Sequence, residues 1–80
     1  MKGIFTYFGR NIYYLRQEKG VTQKEMADIL GVGVTTLRKI EKEDTSVRIN
    51  GSMVCRVCNA YELSADVILR EDMTKKKGRP

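Results

Sequence analysis

Apolar side chains recur along this chain at helical rather than strand spacing. Phe8, Ile12 and Leu15 stand at i, i+4 and i+7, an apolar stripe on one helix face that closes at Lys19-Gly20. Thr22-Gln23-Lys24-Glu25 then reads as a capping box, in which the threonine hydroxyl accepts from the Glu25 N–H and the glutamate reaches back to the Thr22 N–H. Met26, Ala27 and Leu30 follow on one face, and Gly31 supplies the left-handed residue that ends a helix. Only Gly31-Val32-Gly33 separates this segment from the next, Val34 to about Lys42, with Leu37 and Ile40 inward. Beyond a polar loop from Glu43 to Ile49, Asn50 caps a fourth helix with the stripe Val54, Val57, Cys58 and Tyr61. Ser64 caps a short fifth helix carrying Val67, Ile68 and Leu69. The single proline is Pro80, so none of these helices is interrupted, and no stretch alternates as a strand does. The pattern predicts an all-α fold, a compact bundle of five helices over residues 8–71. Residues 1–7 form an N-terminal extension, and from Asp72 to Pro80 the composition is that of a basic, disordered tail.

Composition narrows the chemistry. Eighty residues make one small domain with no histidine and two cysteines. Without imidazole there is no Ser-His pair and no histidine metal site, so neither an enzyme nor a metal or other cofactor is expected. The longest apolar run, Ile12-Tyr13-Tyr14-Leu15, is far too short to span a membrane or to act as an export signal. A cytoplasmic protein with free thiols is the expectation. Cys55 and Cys58 spell C-x-x-C, but zinc wants four ligands and the chain has no further Cys or His. Cys58 lies on the apolar stripe and reads as a packing residue. The net charge of +5 sits at the two ends: residues 1–24 and 75–79 carry +4 each, residues 25–50 carry −1 and residues 51–74 carry −2. The charge suits an anionic partner without identifying one.

Two short helices joined by a three-residue turn with glycine make a helix-turn-helix, spanning about 22–42. The residues filling it are more specific than the spacing. Thr22-Gln23-Lys24-Glu25-Met26-Ala27-Asp28-Ile29-Leu30-Gly31-Val32, followed by Thr36-Leu37-Arg38-Lys39-Ile40-Glu41, closely resembles the Cro and phage-repressor (Xre-like) family, whose usual string reads T-Q-x-x-L-A-x-x-L-G-V-S-x-x-T-I-S-x-I-E. The resemblance runs upstream through Leu15-Arg16-x-x-Lys19-Gly20. Downstream it continues through Val57-Cys58-x-Ala60-Tyr61 and Ser64-x-Asp66-x-Ile68-Leu69, covering roughly residues 8 to 70.

The resemblance implies a bundle of the phage-repressor type with the motif formed by its second and third helices. With Leu37 and Ile40 inward, Val34, Thr35, Arg38 and Lys39 are the candidate base-reading residues of the recognition helix. Gln23 and Lys24 at the start of the preceding helix, with Gly33, Lys42, Arg48 and Asn50, are the candidate phosphate contacts. Arg16 and Glu41 match positions that pair as a brace between the first and third helices; the alternative is two exposed charges. Val67, Ile68 and Leu69 are the candidate dimer interface, since so short a helix cannot bury all three in its own domain. The chain departs from the family at Gly33, where Ser or Thr is customary, at the acidic Glu43-Asp44 loop, and at Val34 and Thr35, which offer few hydrogen bonds.

The implied function is sequence-specific binding of double-stranded DNA by a small homodimeric transcriptional regulator. It would be a repressor occupying a pseudo-palindromic operator, cytoplasmic and nucleoid-associated when bound. No membrane partner and no small-molecule effector are expected. The competing reading is a protein-interaction module, such as an antitoxin or regulator subunit that binds DNA weakly; a cysteine-based redox or metal protein is a third.

Overall fold

Each helix begins and ends where a backbone group finds a specific partner. The computed structural model describes residues 7–44 and 46–73, which form α1 (Phe8–Lys19), α2 (Gln23–Leu30), α3 (Val34–Glu41), α4 (Gly51–Tyr61) and α5 (Ala65–Arg70), with no strand among them. Three start on a side-chain cap. Thr22 Oγ1 accepts from the Glu25 N–H at 3.1 Å, Asn50 Oδ1 from the Met53 N–H at 3.0 Å, and Ser64 Oγ from the Val67 N–H at 3.3 Å. The capping box is complete, with the Thr22 N–H donating to Glu25 Oε1 at 2.8 Å.

Four helices end in the same way. The residue after the last turn takes a left-handed conformation, and the next N–H reaches back five residues: Val21 to Arg16, Val32 to Ala27, Asp44 to Lys39 and Leu63 to Cys58. Gly20 and Gly31 hold the left-handed position in α1 and α2 at little steric cost. Glu43 and Glu62 hold it after α3 and α4, at φ of 60° and 54°.

One core unites the five helices. Phe8, Ile12 and Leu15 of α1 meet Met26, Ala27 and Leu30 of α2, Leu37 and Ile40 of α3, Met53, Val54 and Val57 of α4, and Ile68 of α5. α1 packs on α3 and α5, α2 on α3 and α4, and α4 on α5. At Gly9 the backbone of α1 lies against the Ile40 carbonyl so closely that a Cβ would overlap it.

One boundary and one candidate contact differ from those read from the sequence. The folded unit runs past residue 71, because Asp72 and Met73 are held in place rather than opening a tail. Met73 is buried with the core, and its N–H donates to Asn11 Oδ1 at 2.9 Å. Asp72 meets Arg10 at 2.8 Å. Within α5, Ile68 is fully buried in its own core, while Val67 and Leu69 are partly exposed. Ile68 therefore drops out of the proposed contact between copies. The extension before Tyr7 and the basic stretch from Lys75 to Arg79 lie outside the described residues.

Candidate nucleic-acid interface

α3 is an eight-residue helix with two unlike faces. Leu37 and Ile40 are buried in the core, while Thr35, Arg38 and Lys39 are exposed and Val34 is half-buried at the N-terminal edge. Gly33 precedes the helix in extended conformation and supplies no side-chain cap. Ala27, buried on α2, leaves room for the close approach of the two helices.

The start of α2 is tied to the outer face of α3 by a chain of polar side chains. Arg16 Nε donates to Glu41 Oε2 at 2.7 Å and Arg16 Nη2 to Glu41 Oε1 at 3.1 Å, a two-pronged ion pair joining α1 to α3. The side chains are mostly buried, at 14% and 5% exposure. The Tyr13 ring lies 5.5 Å from the Arg16 guanidinium and covers it further. Gln23 Nε2 donates to the same Glu41 Oε1 at 3.4 Å, and Gln23 Oε1 accepts from Arg38 Nε at 3.3 Å. The carboxylate beside it raises the Arg16 pKa, with burial acting in the opposite direction.

The other candidate contacts are placed more loosely. Lys24 is exposed and lies 3.8 Å from Asp28, a pair too solvated to contribute much. Lys42 and Arg48 are exposed. Asn50 is exposed as well, its Oδ1 committed to capping α4. Of the two carboxylates in the acidic loop, Glu43 is partly offset by a cation, whereas Asp44 stays ionised. Glu43 sits 3.4 Å from Arg10, and Asp44 Oδ1 accepts from the Ser46 N–H at 2.8 Å. Hydrogen bonds from Ser46 hold the Asp44 carboxyl below its usual pKa.

The cysteines are unequal. Cys55 is exposed, whereas Cys58 is half-buried against the core, where desolvation raises its thiol pKa. Among the described residues no group of three His, Cys, Asp or Glu side chains could hold a metal ion. No helix among them is long and apolar enough to cross a membrane.

The sequence reading missed two residues and the internal link made by a third. Arg10 bridges Glu43 and Asp72. Asn11 is fully buried and bonds the chain after α5, and Gln23 links Arg38 to Glu41. The one available signal was a polar asparagine next to Ile12 on the apolar side of α1.

The helix-turn-helix family model matches residues 12–68. The chain belongs to the Cro/C1-type helix-turn-helix family. It is accordingly a DNA-binding transcription regulator whose ligand is double-stranded DNA, and α2 and α3 form the helix-turn-helix of this domain. No curated protein and no solved structure gives a match.

Proposed function

We propose that this regulator is a homodimeric repressor that works by occupying a pseudo-palindromic operator, with α3 in the major groove. The observation that carries the reading is the division of α3. Its apolar side is locked into the core by Leu37 and Ile40, and its outward side offers Thr35 and Lys39 beside Val34. Lysine can donate to guanine O6 and N7, and the threonine methyl and valine suit a thymine methyl. Gln23, Lys24, Gly33, Lys42, Arg48 and Asn50 would engage phosphates on either side, through donor side chains and the first amides of α2, α3 and α4. Occupancy needs no second activity: a bound dimer blocks polymerase access. Its place of action would be the cytoplasm, on the nucleoid.

The experiment is selection of bound duplexes from a random library, with oligomeric state read by native mass spectrometry. The expected result is an enriched palindrome whose half-site centres lie about 10 base pairs apart. No enrichment, together with a stoichiometric co-purifying protein, would replace this reading with that of a protein-interaction module.

A further inference from the structure

We infer that Arg38 acts on DNA through Gln23, as a positioning residue, rather than on a base edge. The inference rests on the DNA-binding role of α2 and α3 and adds a division of labour within it. Arg38 shares the exposed side of α3 with Lys39, but its guanidinium is already engaged inside the motif. Its Nε is directed back to Gln23 Oε1 at the first position of α2. Gln23 in turn donates to Glu41, which Arg16 holds from the other side.

The order along this relay is cation, neutral amide, anion, cation, and a primary amide on a long stem suits the second place. Its tip offers an acceptor to the guanidinium and a donor to the carboxylate at once. Glutamate there would face Glu41 with like charge, and lysine would face Arg38. Asparagine has the right chemistry on a shorter stem. With both ends engaged, the amide cannot turn over. The Nε2 group stays on the side of Glu41, and its second N–H remains available to a phosphate at the start of α2. An amide released from Arg38 could rotate and offer Oε1, which repels a phosphate. Fixing the rotamer beforehand also removes an ordering cost from binding.

Arg38→Lys keeps the charge but loses the planar Nε donor, so it tests position apart from electrostatics. The variant is made in the natural chain and in Gln23→Ala, and both are titrated by fluorescence anisotropy with labelled random-sequence duplexes of about 20 base pairs. Arg38→Lys is expected to weaken binding about three- to tenfold with Gln23 present, the scale of one hydrogen bond, and by less than about twofold in Gln23→Ala. The preferred bases in duplex selection stay the same. In the DNA-free protein, the Gln23 side-chain amide resonances shift in Arg38→Lys while the melting temperature holds. Equal losses in the two backgrounds, or altered base preference, overturn the inference while leaving DNA binding intact. Failure of the unsubstituted chain to bind any duplex overturns the DNA-binding role and this inference together.

Discussion

At the scale of single residues, two buried polar groups matter more to this fold than any surface pair. Arg16 and Glu41 meet through two short hydrogen bonds with little water around them. Removing one partner strands the other's charge in a poorly solvated place, which costs far more than the loss of an exposed ion pair. Arg16→Ala is expected to destabilise the domain by on the order of 3 kcal/mol, read as a drop in thermal or urea midpoint. A midpoint unchanged within error would show the pair to be solvated. Asn11 is the second such group. Its Nδ2 donates to the carbonyls of Ile68 at 2.8 Å and Glu71 at 2.7 Å, and its Oδ1 accepts from the Met73 N–H. Asn11→Ala leaves these backbone groups short of a partner in a buried place, at a cost of about 2–4 kcal/mol in the same unfolding experiment. Asn11→Asp should behave similarly, because a carboxylate cannot donate to the two carbonyls. The Arg16–Glu41 pairing was legible only by likeness to a family, since no periodicity links residues 25 positions apart. The partners of Asn11 and Gln23 were not legible, because they are set by how α1 lies on α5 and α2 on α3.

The elements themselves were far more legible, for a physical reason. Helix ends are decided locally, by a capping oxygen three residues ahead or a left-handed residue behind, and Thr22, Asn50, Ser64, Gly20 and Gly31 all announce themselves in the sequence. Glu43 and Glu62 do not. They take the left-handed position with no glycine or asparagine to mark it, and a Cβ in that region is strained. Glu43 has a compensating partner in Arg10. Glu62→Gly is therefore the cleaner substitution, and it should raise stability by about 0.5–1 kcal/mol by relieving strain at the end of α4. Thermal unfolding measures it. A fall in midpoint would mean that the lost side chain, or the added freedom of the unfolded chain, outweighs the relief. Gly9 carries the opposite lesson. Nothing in its sequence neighbourhood signals a helix contact, yet it is the point where α1 rests on the Ile40 carbonyl.

At the scale of the whole molecule, one recognition helix reads only about four or five base pairs, so useful selectivity calls for two of them on a common symmetry axis. Burial of Ile68 leaves Val67 and Leu69 as the partly exposed apolar residues of α5, and a two-fold contact would bring each against its symmetry mate. Leu69→Glu would place two carboxylates across that axis while leaving Ile68 in its core. The expected outcome is a folded monomer by native mass spectrometry and a footprint lost from the operator at concentrations where the natural chain protects both half-sites. Salt then separates the kinds of DNA contact. Affinity falls with salt in proportion to the number of phosphates neutralised, so a monomer should show about half the slope of the dimer. Arg48→Ala should weaken all duplexes alike and lower the dimer's slope by about two, one phosphate for each half-site. Thr35→Ala and Lys39→Ala should instead change which sequence is preferred. An unchanged selected sequence in both variants would remove α3 from base reading. A Leu69→Glu protein that remains dimeric would place the two-fold contact on another surface.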